Sequence, residues 1–281
     1  MRYVATMNGF DPTNGAVAAE PLIRVSFFAA ALTVLMVWEF LAPRRSLTIR
    51  RRWRWPGNVG VVVIDALLLR LVFPTAAVGI ALVAEARGWG LLHLFAVPDW
   101  LSILIAIIVL DLMIYAQHVL FHAIPMLWRL HRMHHADLDI DVTTGIRFHP
   151  VEILMSMVIK LTAVVALGAP ALGVMIFEIL LNATSMFSHS NIRVSSKIDQ
   201  RLRLIVVTPD MHRVHHSIVR QETNSNFGFN LPWWDHFFGT YRAQPAAGHD
   251  AMVIGLPQFR NSTELRLDRM LLQPLRGDRC E

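Results

Sequence analysis

With 281 residues, 54% of them apolar and only 17% charged, and a mean hydropathy of +0.44, the chain is poorer in charge than soluble domains, where about 25% of residues are charged. That balance excludes a disordered chain, a fibrous protein and a polar-surfaced soluble enzyme, and leaves an integral membrane protein. The formal charge is +5, every basic residue except Lys160 and Lys197 is an arginine, and the one cysteine, Cys280, rules out an internal disulfide and a cysteine-built zinc site.

A helix crosses the bilayer with about twenty mostly apolar residues. Residues 22–41 meet that length, residues 59–84 do so while carrying Asp65, Arg70 and Pro74, and residues 100–121 do so again. The apolar stretch 151–188 is too long for one helix and is interrupted by Gly168, Pro170 and Gly173. Proline removes a backbone donor and glycine frees the turn, so this stretch reads as a helical hairpin that enters and leaves on the same side.

The loop 42–58 holds Arg44, Arg45, Arg50, Arg51, Arg52 and Arg54, whereas the loop 85–99 holds only Arg87. The positive-inside rule places the first loop in the cytoplasm, the N-terminus outside, and residues 122–150 and 189–281 inside. Beside two spans such an arginine run is a topology signal, and no nucleic-acid partner is expected. Residues 1–20 lack the short apolar core and small-residue cleavage site of a signal peptide, so the first span is expected to be retained. The expected fold is an all-α integral membrane protein with about three transmembrane helices, a helical hairpin and a cytoplasmic helical cap. Residues 1–94 form the N-terminal tail and first two spans, 95–242 the catalytic region, and 243–281 a cytoplasmic C-terminal tail that lies on headgroups or in solvent.

The chain has thirteen histidines, and their spacing is specific. His118 and His122 share one helix face at the cytoplasmic end of the third span. His131, His134 and His135 form an H-x-x-H-H pattern, repeated by His212, His215 and His216. On a helix each triplet covers an arc of roughly 100° and aims inward together. Neutral imidazole suits iron, zinc, copper or nickel. Eight or nine such ligands exceed the needs of one ion and fit two metals with positions left open, as oxygen chemistry requires. His93, His236 and His249 have no partner at ligand spacing and read as ordinary structural residues.

Two polar stripes run from the membrane toward these histidines. Asp111, Tyr115, His118 and His122 lie within roughly 60° of one helix face. A carboxylate inside the hydrocarbon is costly, so Asp111 is expected to orient a ligand or hold a water, the alternative being an ion pair with Arg70. Glu178, Asn182, Ser185 and His189 repeat the design, with His189 as a ninth ligand and Asn182 and Glu178 supporting it. Lys160, near the middle of the first hairpin helix, has no partner visible in the sequence.

The spacing of Asp111, Tyr115, His118, His122, Pro125, Trp128, Arg129, His131, His134 and His135 resembles the fatty acid hydroxylase/sterol desaturase superfamily, the membrane-bound histidine-rich di-iron oxygenases. So do Thr144, Gly145, Arg147, His149, Pro150 and Glu152, and the block from Thr208 through His212, His215 and His216 to Asn226, Gly228, Asp235, Gly239 and Tyr241. The likeness covers residues 95–242, about half the chain, and the three histidine motifs in this order are specific together. It implies a non-haem di-iron oxidoreductase that takes O2 and two electrons to hydroxylate or desaturate a membrane lipid: a sterol, an acyl or alkyl chain, or an isoprenoid. By that resemblance His118, His122, His131, His134, His135, His212, His215 and His216 match ligand motifs and His189 a less regular one. His149 falls in an R-x-H-P-x-E segment as a supporting residue, with Arg147 and Glu152 pairing locally. Ser185, four residues before His189, departs from the paired histidines of the fatty acid 2-hydroxylase branch. These residues show no sign of a fused cytochrome b5 domain, so a separate donor is expected, cytochrome b5-like or ferredoxin-type with its reductase. Zinc substitutes for iron at such ligands. The alternatives are a histidine-rich metal transporter, with ligands near the midplane, and a zinc-dependent membrane hydrolase, with one metal and three ligands.

Overall fold

A computed structural model describes residues 15, 17 and 19–277; Cys280 and most of the segment tested for a signal peptide lie outside the described residues. Secondary structure among the described residues is helical, with only two isolated bridges, Pro43 to Ile192 and Ser217 to Ile254, so the chain is all-α. The long helices are α1 (Glu20–Leu41), α2 (Arg51–Val72), α3 (Ala76–Arg87), α4 (Asp99–Ala123), α5 (Pro125–His135), α6 (Pro150–Leu167) and α7 (Ala171–His189). Short helices follow: α8 (Ser196–Leu202) and α9 (Pro209–His215), then single turns. Five runs are long and apolar enough to cross a bilayer: Glu20–Leu41, Arg51–Leu94, Asp99–Ala123, Pro150–Leu167 and Ala171–His189. The protein is therefore a multi-pass membrane protein.

The second span departs from the single helix expected over 59–84. It begins at Arg51, stops at Val72 and restarts at Ala76. Pro74 is the cause, since a proline biases the preceding residue away from helical backbone, and Phe73 sits at φ −125°, ψ 68°. The hairpin forms where Gly168 caps α6 in the left-handed region at φ +67°. A Cβ on Gly90 would lie 2.1 Å from the Gly168 nitrogen, so two glycines let this turn seat on the loop after α3.

Ala77, Ala81, Ala106, Leu110, Val164, Val174 and Phe177 form the core between α3, α4, α6 and α7. Small alanines let these backbones approach, which is how helices associate where lipid supplies no hydrophobic drive. Leu22, Val25, Leu41, Leu67 and Leu71 stay exposed, as lipid-facing side chains do. α1 packs on α7 and α2 on α6.

The C-terminal stretch is not the free surface tail expected of residues 243–281. Met252, Ile254, Leu256, Phe259, Leu265 and Met270 are buried. Met270 packs with Val61 and Met133, and Phe259 with Ala136. Arg129 donates to the Pro274 carbonyl and Arg132 to that of Gln273, so the chain end is strapped beneath α5.

Candidate metal centre

Four elements bring the histidines together. α4 ends in His118 and His122, and α5 restarts at once from Pro125, whose fixed φ suits a first helical residue, to present His131, His134 and His135. α7 ends in His189. α9 is started by Thr208, whose hydroxyl accepts from the Met211 amide, and by Pro209. It carries His212 and His215, with His216 directly after. The nine residues fall into two groups, His118, His122, His131, His135 and His215, and His134, His189, His212 and His216. Within each, the candidate ligand atoms lie within 4.8 Å of one another. His135 and His216 stack at 4.6 Å between ring centroids and join the two groups.

The hydrogen bonds of the outer nitrogens decide what the inner ones can do. His118 Nδ1 donates to the Phe227 carbonyl at 2.8 Å, His134 Nδ1 to that of Arg147 at 3.0 Å, His189 Nδ1 to that of Ser185 at 2.6 Å and His215 Nδ1 to that of Ser225 at 2.7 Å. His131 Nδ1 donates to Glu152 Oε1 at 2.7 Å and His122 Nδ1 to Asn224 Oδ1 at 3.2 Å. A carbonyl or carboxylate only accepts, so each neutral ring carries its proton on Nδ1 and a bare lone pair on Nε2. Those lone pairs face each other. Nε2 of His118 is 3.1 Å from that of His131, and Nε2 of His189 is 3.0 Å from that of His134; Nε2 of His212, a ring whose Nδ1 has no acceptor, lies 3.1 Å from that of His189. Nε2 of His122, His135 and His215 and both nitrogens of His216 are buried without a partner. Converging lone pairs repel unless a cation lies between them, so the donor set fits metal ions. Burial first, then the neighbouring imidazoles, push His134, His135, His212, His215 and His216 well below the ordinary histidine range, which keeps them in the neutral form a metal needs.

Several supporting residues act differently from the sequence expectation. Asp111 touches no histidine and does not pair with Arg70. It accepts from Trp234 Nε1 at 2.8 Å and from the amides of Asn230 and Leu231, holding the loop that carries Phe227. Asn182 donates back to the Glu178 carbonyl, and Glu178 bonds Lys160 Nζ at 2.8 Å and Arg24 at 2.9 Å; neither supports His189. Lys160 thereby acquires its partner. His149 caps α6 by accepting from the Val151 amide, and its other nitrogen faces the Leu271 carbonyl. Arg147 and Glu152 do not pair: Arg147 goes to Asn58 and the Met133 carbonyl, and Glu152 to His131. Shared helix faces give direction but not which partner, on the same helix or from a distant segment, a side chain meets.

Residues to which the sequence assigned no role at the metal centre fix the site from outside. Arg54 is fully buried and bonds Asp137, Asp141, Thr144 and the Asp139 carbonyl, clamping the loop after His135. The alternating acids Asp137, Asp139 and Asp141, directly after an H-x-x-H-H motif, were the available signal. Asp235 accepts from the amides of Phe227 and Gly228 and shapes the turn that meets His118. Phe148 stacks on His134 at 4.5 Å.

A cavity of about 300 Å³ opens beside this centre, with His118 and His131 at one end and Lys160, Glu178 and Arg24 also on its wall.

Comparison with known proteins places this arrangement. Residues 103–240 match the fatty acid hydroxylase family. Ornithine lipid hydroxylase OlsE of Rhizobium tropici is 30% identical over 151 residues, 53% of this chain and 44% of that protein. Alkylglycerol monooxygenase of Homo sapiens is 28% identical over 181 residues, 63% of this chain and 38% of that protein. The Xenopus tropicalis alkylglycerol monooxygenase is 24% identical over 201 residues, 67% of this chain and 43% of its own. The chain thus spans less than half the length of these relatives. No solved structure matches it. The matched region and these relatives support the fatty acid hydroxylase superfamily as the family of this chain.

Proposed function

We propose that the chain is an O2-dependent oxidoreductase that hydroxylates a membrane lipid at two metal ions held by His118, His122, His131, His135 and His215 and by His134, His189, His212 and His216. The observation that carries this reading is the pairing of bare Nε2 atoms, His118 with His131 at 3.1 Å and His134 with His189 at 3.0 Å, within two adjacent groups. Iron is the proposed metal, and bound there it supplies O2 activation and C–H oxidation. The overall change turns C–H into C–OH and O2 into one hydroxyl and one water, consuming two electrons and two protons. Hydroxylation is favoured over desaturation because the relatives are named a hydroxylase and a monooxygenase.

The chain's own residues position and shield the reaction. Glu152 and four backbone carbonyls orient the rings, Phe148 and Phe229 exclude water from the histidine face, and the cavity admits the lipid between helices. The arginines of residues 44–54 support a cytoplasmic centre with the N-terminus outside. Residues 95–242 act as the catalytic region, and electrons come from a separate cytochrome b5-like or ferredoxin-type donor. A midplane transport site and a single zinc with three ligands both fit poorly, because nine imidazoles, eight of them buried, gather at helix ends.

Protein purified from iron-fed cells is expected to hold about two irons per chain. His134→Ala or His215→Ala should abolish NADH- and O2-dependent lipid product, and unchanged turnover would end the proposal. Lipid profiling of a deletion strain names the substrate through its accumulated precursor.

A further inference from the structure

The cavity beside the histidines carries polar atoms that the centre does not use. Its volume of about 300 Å³ is about twice that of a ~150 Å³ apolar cavity able to hold one benzene. It therefore takes a headgroup-sized part of a lipid and leaves most of the hydrocarbon in the bilayer. Three buried oxygens on its walls have neither a hydrogen-bond partner nor an ion pair: Asp65 Oδ1 on α2, Gln117 Oε1 on α4 and Glu152 Oε2 on α6. Asp65 is 7% exposed and Glu152 4%.

The cations nearby already have carboxylate partners. Lys160 bonds Glu178, and Arg24 bonds both Glu178 and Glu20, so two cations meet two carboxylates. The Gln117 amide nitrogen donates to Ser156 Oγ at 2.7 Å. The unpaired oxygens that face the cavity come from three different helices. A buried acceptor left without a donor costs about 1–3 kcal/mol, and a carboxylate more, so the proper occupant brings donors.

We propose that this cavity seats the headgroup of the lipid substrate, that the headgroup carries several hydrogen-bond donors of hydroxyl or ammonium type, and that Asp65, Gln117 and Glu152 hold it. His118 and His131 border the same space, so the oxidised carbon lies in the headgroup or next to it, with the tail running out between helices. Two carboxylates at the seat disfavour phosphate-headed lipids. The position of oxidation rests on the hydroxylase reading above; headgroup binding does not require turnover.

The test uses the full metal-loaded chain in phosphatidylcholine nanodiscs without O2, with 1-O-hexadecylglycerol, hexadecylamine and hexadecane as probes. Wild type is expected to bind the two polar probes about tenfold or more tighter than hexadecane. Asp65→Leu should remove most of that preference, and Gln117→Leu part of it. Asp65→Asn should keep the glycerol ether and lose the amine if hydroxyls are the natural donors, and weaken both if charge is required. Metal content and melting curves confirm that each variant is folded. Equal binding of hexadecane, or an Asp65→Leu variant with its preference intact, overturns the proposal. Preference without aerobic product would sink the reaction and spare the headgroup seat; hydroxylation of hexadecane without preference would do the reverse.

Discussion

Arg54 grips both carboxylate oxygens of Asp137, through Nε at 2.6 Å and Nη2 at 2.8 Å, with both side chains shut off from solvent. The same guanidinium reaches Asp141 at 2.5 Å, so one cation bonds two buried acids and ties α2 to the loop behind the histidines. Arg54→Leu strips Asp141 of its ion pair and leaves Asp137 only the more distant Arg147 at 3.9 Å, and a broken buried pair costs about 3–5 kcal/mol. Arg54→Lys should recover little, because an ammonium cannot reproduce the two-pronged contact. Chemical denaturation in detergent measures the loss, and a variant as stable as wild type would contradict this account.

Glu152 acts through His131. Its Oε1 fixes the ring by accepting from Nδ1 at 2.7 Å, which turns Nε2 toward His118. Removing such an outer partner costs about 10–100-fold in metal affinity or activity. Glu152→Ala is expected to lose metal within that range during dialysis against chelator, and Glu152→Gln, which keeps an acceptor, to lose less. Metal analysis after dialysis distinguishes the two, and equal retention by wild type and Glu152→Ala refutes the role.

The histidines were legible because a helix repeats every 3.6 residues, so H-x-x-H-H and H-x-x-x-H state which rings share a face. The spans and the hairpin were legible for a similar reason, being matters of length, hydropathy and the Gly168 turn. The partners were not. Arg54 and Asp137 are 83 residues apart, and nothing local ties them. Asp111 shares its face with His118, yet the loop 230–234 folds onto it from another part of the chain. The buried C-terminal segment was hidden as well, since Met252, Ile254, Leu256 and Phe259 follow no helical repeat.

Gly145 allows a close approach that the histidine pair His134–His189 depends on. A Cβ there would meet the Ser185 carbonyl at 2.5 Å and the Met186 Cα at 3.0 Å, both backbone atoms that yield little. The Ser185 carbonyl accepts from His189, and Arg147, two residues after Gly145, supplies the carbonyl for His134. Gly145→Ala should therefore separate these rings, lower metal content and reduce product while leaving the helical signal near wild type. Full metal content in this variant would show that the contact is not needed.

Glu178 gives Lys160 and Arg24 their counter-charge inside the apolar bundle. Glu178→Gln leaves Lys160 without its ion pair, and the expected destabilisation is about 3–5 kcal/mol. Adding Lys160→Met removes the stranded charge and should restore much of that loss, because Arg24 still pairs with Glu20. A double-mutant cycle of melting temperatures reads the coupling, and strictly additive losses would argue against a direct pair.

Outside the membrane, His249 gives the stability a defined dependence on pH. Burial lowers its pKa to about 4, with Asp210 pulling upward and Arg213 and Arg44 downward. In the unfolded chain a histidine titrates near 6.5. Above that pH both states are neutral and the full stability is present. As the pH falls, the unfolded state takes up the proton first, so stability declines between about 6.5 and 4 and this contribution levels off below. His249→Gln should flatten melting temperature against pH across that window by as much as one bound proton, relative to wild type carrying the same metal load. Superimposable profiles would mean that His249 titrates normally in the fold.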